Sequence, residues 1–251
     1  VESLNFEGRV VLVTGGTKGI GRVIVERFAA AGAAVVACGR KEPESPIAGT
    51  FMACDVRDAE QVDALVDEIV AAHGRLDVAI NNAGGSPPAD SATASARFSE
   101  SIIKLNLLGP LFVAQAANRV MQTQPDGGSI VNIASVSGMR PTPNTAAYGA
   151  AKAGLLNLTQ TLAMEWAPKV RVNAVTAGLI RTELAHLFYG DEEAIARVAA
   201  TVPLGRMGLP DDVASACLYL ASPLAAYVSG ANLVVHGGGE PPPYLDAVQS
   251  T

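Results

Sequence analysis

Residues 10 to 41 read VVLVTGGTKGIGRVIVERFAAAGAAVVACGRK. An aliphatic run leads into a glycine-rich turn, an Ala-rich amphipathic segment and a second aliphatic run. This is the pattern of a strand, a crossover helix and a parallel second strand. The turn itself, TGGTKGIG at 14–21, places glycines where backbone must approach a ligand closely, at the start of a helix whose free N–H groups and dipole favour an anion. A phosphate-binding loop follows. Its spacing is T-G-x-x-x-G-x-G through Gly15, Gly19 and Gly21, since counting G-x-G-x-x-G from Gly19 reaches Ile24 at the third position.

About 20 residues beyond such a loop, a carboxylate selects the free ribose 2′-hydroxyl of NAD(H), whereas an arginine accommodates a 2′-phosphate. Here the second run ends in Gly39 and Arg40, with no carboxylate before Glu42. Lys18 in the loop adds a second cation, and a phosphate is the natural partner of both. NADP(H) is therefore expected in preference to NAD(H).

The alternation continues along the chain. Strands are predicted at Val10–Thr14, Ala34–Cys38, Thr50–Ala53, Val78–Asn81, Ser129–Ile133, Arg171–Val175 and Asn232–Val235. Predicted helices are Gly19–Ala31, Asp58–Ala72, Arg97–Met121, Ala147–Trp166, Thr182–Ala200 and Pro210–Ala221. With no low-complexity linker and no internal repeat, residues 1–251 read as one α/β domain, a doubly wound seven-stranded parallel sheet with helices on both faces. The tail, 240–251, contains three consecutive prolines and favours an extended conformation.

Composition narrows the function. Hydrophobic residues make up 49% of the chain and charged residues 17%, which excludes a disordered chain. A net charge of −6 without a Lys/Arg cluster argues against nucleic acid. Cys38, Cys54 and Cys217 are odd in number and lie in apolar stretches, which suits buried free thiols. With an acidic residue where a secretory leader would be basic, the expected compartment is the cytoplasm. Residues 213 to 235 carry no charge, but Ser222-Pro223, Ser229-Gly230 and Asn232 break the run, so no membrane span is expected. His73, His186 and His236 lie far apart without metal-ligand spacing, and no metal is expected.

In AYGAAK, residues 147–152, Tyr148 and Lys152 stand four apart on a predicted helix and share one face. Ser135 follows the fifth strand in VNIASVSG, so its hydroxyl emerges at the carboxyl end of the sheet, where ligands bind in such folds. Ser137 is a nearby competitor. Asn106, in KLNLLG, is a polar residue in an apolar helical neighbourhood and needs hydrogen-bond partners.

Together these residues resemble the short-chain dehydrogenase/reductase family in its single-domain form of about 250 residues, over residues 6 to about 238. TGGTKGIG is similar to that family's cofactor loop, with Thr17 and Ile20 among its contacts. NNAG at 81–84 is similar to the segment after its fourth strand, and Asn106, Ser135, Tyr148 and Lys152 to its catalytic tetrad. The resemblance implies that Lys152 holds the nicotinamide ribose and Asn106 a water relay behind it. It also implies that Asp55 and Val56 bind adenine, that Asn82, Ala83 and Gly84 lie along the cofactor, and that Ile180 and Thr182 contact the carboxamide. Asn81 is expected to tie strands together. The family's usual Pro-Gly after the sixth strand is Ala177-Gly178 here, which removes a rigid element.

The chemistry follows from the pairing. A free tyrosine titrates near 10, and an adjacent ammonium favours its phenolate. Tyr148 would donate a proton to a carbonyl during reduction and remove an alcohol proton during oxidation, with Ser135 stabilising alkoxide charge. The expected activity is hydride transfer between NADP(H) and a secondary alcohol or ketone. Segments 85–90, 136–144 and 179–200 would wall the pocket, with 182–205 as a lid. Val136, Met139, Leu179, Leu184, Leu187, Phe188 and Tyr189 imply a lipophilic small molecule, while Arg140 and Arg181 leave open an anionic handle. The resemblance also implies a homotetramer. The alternatives are an NAD(H)-dependent dehydrogenase of the same family and a dinucleotide sensor without turnover.

Overall fold

A computed structural model describes residues 4–242. Seven parallel strands form one sheet in the order β3-β2-β1-β4-β5-β6-β7. They are β1 Val10–Thr14, β2 Ala34–Gly39, β3 Thr50–Ala53, β4 Val78–Asn81, β5 Gly128–Ser135, β6 Val170–Ala177 and β7 Asn232–Val235. The expected doubly wound α/β class is the one observed, and each predicted strand is present within about two residues of its expected ends.

Strand periodicity explains why both faces are covered. Along β1, Val11 and Val13 turn to one face and Val10 and Leu12 to the other, all buried. The first face packs on Ile24, Val25 and Phe28 of α1 (Gly19–Ala30) and on Val213, Cys217 and Leu220 of α8 (Pro210–Ala221). The second packs on Leu65 and Ile69 of α2 (Ala59–His73), Val113 and Met121 of α4 (Gly109–Met121), and Leu162 of α5 (Ala146–Glu165). Full burial of one such side chain is worth roughly 1.5–3 kcal/mol. Cutting Leu12 to alanine would cost about 2–5 kcal/mol, because the sheet face cannot collapse to fill the void.

Local signals set the helix ends. Asp58 caps α2 by accepting from the Glu60 and Gln61 N–H groups, and Gly74 at φ +75° ends it in the left-handed conformation. Pro210 opens α8, and the Asp212 carboxylate accepts from the Leu209 N–H at 2.7 Å. Asn81 ties β4 to its surroundings as expected, its Nδ2 donating to Asn132 Oδ1 at 2.8 Å and to the Pro110 carbonyl.

Two predicted helices are broken. Arg97–Met121 divides into α3 (Ala96–Ile103), a π-helical turn at Lys104–Leu108 and α4. Thr182–Ala200 begins irregularly and holds only α6 (His186–Tyr189) and α7 (Glu192–Ala200). Gly190 at φ +86° parts the two, and Asp191 caps α7 by accepting from the Ala194 N–H. Of the proline-rich tail, residues 243–251 lie outside the described residues. No helix of the described residues is long and apolar enough to cross a membrane. Cys38, Cys54 and Cys217 are buried and free, as expected.

Candidate active site

The carboxyl ends of β1, β4, β5 and β6 converge on one rim, and the predicted site residues collect there. At the β1–α1 turn, Gly19 adopts φ +56°, and a Cβ at Gly21 would stand 2.2 Å from the Gly15 carbonyl oxygen. Only glycine closes this turn so tightly. Thr14, which the sequence reading passed over, joins it to the NNAG segment. Its Oγ accepts from the N–H groups of Asn82 at 3.0 Å and Ala83 at 2.9 Å, while Asn82 Nδ2 donates to the carbonyls of Thr14 and Gly15.

The turn already holds an anion of the chain's own. Glu183 Oε1 accepts the Gly19 N–H at 2.8 Å, from 164 residues away. No side chain caps α1, whose N-cap position is Lys18 in an extended conformation, so this N–H is open to an acceptor from outside the helix. A carboxylate accepts this N–H, and the chemistry of the turn suits a phosphate group. Thr17 and Ile20 lie within the same turn. Lys18 and Arg40 are exposed, and neither side chain makes an ion pair or hydrogen bond with another described residue.

At the end of β3, Asp55 is engaged. Its Oδ1 accepts the Arg57 N–H at 3.1 Å, an Asx turn, and the Arg57 guanidinium grips both carboxylate oxygens, the closest contact being 2.6 Å. That guanidinium holds Asp55 below the usual carboxylate range, with Arg40 adding to the effect. The sequence reading missed Arg57. Beside it, Val56 is buried against Gly109.

Asn106 lies in the π-helical turn and is fully buried. Its Nδ2 donates to the carbonyls of Ile102 and Gly85 at 2.9 Å, and its Oδ1 accepts the Gly85 N–H at 2.8 Å. All its described bonds therefore hold backbone. Lys152 makes a different bond, Nζ donating to the Ile133 carbonyl at 2.7 Å. Both side chains nevertheless crowd Gly84, where a Cβ would lie 2.7 Å from Asn106 Oδ1 and 3.3 Å from Lys152 Nζ.

Tyr148 and Lys152 share one face of α5, with Nζ 5.7 Å from the ring centroid. Lys152 is 3% exposed, and burial pushes its ammonium down to about 8. Burial pushes the Tyr148 phenol up, partly offset by the nearby Ser135 hydroxyl. The lysine was expected to lower the phenol, but desolvation prevails here because both groups are withdrawn from water. Ser135 ends β5 and accepts the Ser137 N–H at 3.2 Å, which leaves its O–H hydrogen free to donate. Ser137 itself is folded into the 3-10 turn Val136–Gly138.

The loop after β6 is well held without the family's proline. Gly178 N–H donates to the Val235 carbonyl at 2.9 Å, and Ile180 forms a parallel bridge with Gly208. Thr182 lies beside the glycine turn, its Cγ2 3.8 Å from where a Gly19 Cβ would be.

A cavity of about 100 Å³ reaches Tyr148, lined by Ser86, Ala89, Phe98 and Asn144 among others. Segments 85–90 and 136–144 contribute to it as expected, but segment 179–200 does not. That segment instead borders a separate cavity of about 370 Å³ with Arg181, Glu183, His186 and Glu192. The expected apolar lining is also dispersed. Val136 is buried, Leu179 and Tyr189 pack against Ala185, Ile195 and Met207, and Met139, Leu187 and Phe188 are exposed. His186 is on the surface, its Nδ1 3.2 Å from the Glu183 carbonyl oxygen.

The chain matches known proteins over nearly all of its length. The family model described as enoyl-(acyl carrier protein) reductase covers residues 15–240. D-threitol dehydrogenase of Mycolicibacterium smegmatis is 35% identical over 244 residues, 93% of each chain. 3beta-hydroxysteroid dehydrogenase 1 of Eggerthella lenta is 36% identical over 246 residues, 93% of this chain and 94% of that one. Among solved structures, the ligand-free aldohexose dehydrogenase of Thermoplasma acidophilum superposes with a TM-score of 0.89 at 35% identity, covering 93% of this chain and 94% of that one.

Proposed function

Because this chain belongs to the short-chain dehydrogenase/reductase family, nicotinamide-dependent oxidoreductases of alcohols and ketones, we propose that it interconverts a secondary alcohol and a ketone with NADP(H), Tyr148 serving as general acid and base. The observation that supports this reading is the grouping of Ser135, Tyr148 and Lys152, with the Lys152 ammonium 5.7 Å from the centre of the Tyr148 ring, at the rim that also bears the glycine turn.

The cofactor supplies the hydride in reduction and accepts it in oxidation. The residues manage the proton. Near neutrality the buried phenol keeps its proton and is set to donate it to a carbonyl oxygen. Ser135 donates its free O–H hydrogen to the same oxygen and stabilises the alkoxide charge that develops there. Lys152, positive and desolvated, favours the phenolate that donation leaves behind. Asn106 fixes Gly85 on both its N–H and its carbonyl, and so positions the segment that borders the cavity at Tyr148. Gly15, Gly19, Gly21, Thr17, Ile20, Asn82, Ala83 and Gly84 would hold the dinucleotide, with Asp55 and Val56 toward adenine and Ile180 and Thr182 toward the carboxamide.

The preference for NADP(H) is supported by Lys18 and Arg40, two exposed cations near the expected ribose site. A homotetramer belongs to the same reading, as the family resemblance implies. Three buried free thiols support a reducing compartment such as the cytoplasm. The test is absorbance of reduced nicotinamide with NADP+ and a panel of secondary alcohols spanning polyols and steroids. Turnover of at least one supports the reading, and none across the panel opposes it.

A further inference from the structure

We infer that Glu240 is a specificity-determining residue, which restricts the enzyme to electrically neutral substrates by occupying the Arg140 guanidinium at the mouth of the active site. This deepens the functional reading above and rests on it. The sequence offers two cations near the substrate region, Arg140 and Arg181. Arg181 is turned away to an exposed pairing with Glu192 at 2.8 Å, beside the separate larger cavity. Arg140 lies in segment 136–144, which contributes Asn144 to the cavity at Tyr148.

Arg140 follows Ser135 by a single tight turn, in which the Met139 and Arg140 N–H groups both donate to the Val136 carbonyl. Both terminal nitrogens of its guanidinium are engaged within the chain. Nη1 donates to Thr142 Oγ1 at 3.0 Å and more weakly to the Pro141 carbonyl, while Nη2 lies against both oxygens of Glu240, 2.6 Å from Oε1.

The chain makes an effort to bring that carboxylate back. After β7, Gly237, Gly238 and Gly239 all adopt positive φ, and the Leu204 N–H donates to the Gly237 carbonyl. The turn delivers Glu240 to an arginine 100 residues earlier in the sequence. The two side chains are 39% and 26% exposed, so solvent screens the pair less than it would a bridge on the open surface.

The neighbourhood includes the reacting end. The Tyr189 phenol is pushed up by burial, then by Glu240 and by Tyr148, with Arg140 opposing, so Tyr189 is within electrostatic reach of both Tyr148 and the Arg140–Glu240 pair. A substrate carboxylate or phosphate arriving here meets a guanidinium already neutralised and a carboxylate of its own sign. Like charges so juxtaposed are strongly disfavoured. A neutral ketone or alcohol meets no net charge and finds donors and acceptors for its hydroxyl groups.

The experiment uses the full chain with NADPH. The neutral ketone reduced best is compared with its analogue carrying a carboxylate at the far end, and the readout is the ratio of the two kcat/KM values. The wild type is expected to favour the neutral ketone by about tenfold or more. Glu240→Gln keeps the shape and an acceptor but removes the charge, and should shift the ratio toward the acid by about tenfold. Arg140→Met in the Glu240→Gln background should reverse that shift. A wild type that prefers the acid, or a ratio unmoved by Glu240→Gln, overturns the inference while the functional reading stands. Failure to reduce any ketone overturns both.

Discussion

The Lys152 ammonium stands 5.7 Å from the centre of the Tyr148 ring and gives its hydrogen bond to the Ile133 carbonyl, 2.7 Å away. The lysine's hydrogen bond therefore goes to backbone rather than to the tyrosine. Burial pushes its ammonium down from 10.5 to about 8.

This shift makes stability depend on pH with a definite sign. Between about 8 and 10.5 the unfolded chain retains a proton that the folded chain has released, so the burial penalty is complete below that window and gone above it. Its full span is about 3 kcal/mol. Relative to Lys152→Met, which never carries the charge, the wild type should gain stability as pH rises from about 7 to 10. Denaturant unfolding of both proteins at the two pH values measures the difference. A difference that stays constant or moves the other way would show that this lysine is not strained by burial.

Glu183 accepts the Gly19 N–H, which the proposed function assigns to a cofactor phosphate, so the two would compete. Glu183→Gln should tighten NADPH binding roughly twofold to fivefold, the usual worth of a charge at a helix N-terminus. Fluorescence titration with NADPH gives the comparison. Weaker binding in the variant would mean that the carboxylate assists the cofactor instead of giving way to it.

On the proposed reading, Arg40 carries the cofactor preference with Lys18. Arg40→Asp should reduce the preference for NADPH over NADH by about tenfold or more, since it replaces a phosphate partner by a like charge. Side-by-side titrations with the two dinucleotides decide it, and unchanged discrimination would place the 2′-phosphate elsewhere.

The parts of the fold that were legible are those written locally. Buried parallel strands announce themselves as short aliphatic runs, and β1 with its glycine turn is read from consecutive residues. Other features depend on partners distant in sequence. The π-helical turn around Asn106 accompanies side-chain bonds to Gly85, 21 residues earlier, so helical periodicity alone gave an unbroken helix. The break before α7 was marked locally by Gly190-Asp191, a glycine stop followed by a cap, yet the apolar spacing on either side masked it. At the site, Tyr148 and Lys152 were legible as an i, i+4 pair. Thr14 on the NNAG backbone, Arg57 on Asp55, Glu183 on Gly19 and Glu240 on Arg140 were not, because a side chain's partner across the fold leaves no periodic trace. Apolar residues in the 179–200 segment misled for a related reason, since composition does not say whether a leucine faces a pocket, a local core or solvent.

The central claim is that the Tyr148 hydroxyl moves the proton, and Tyr148→Phe removes that one atom while keeping the ring. With the alcohol that the wild type oxidises best and NADP+, the variant should lose about 10²- to 10⁴-fold in kcat. Its affinity for NADPH, measured by fluorescence in the same preparation, should stay within about threefold of the wild type, because the lost hydroxyl is assigned to the substrate. A Tyr148→Phe enzyme that turns over like the wild type would contradict the assignment of acid and base, and the site would have to be sought elsewhere on the rim.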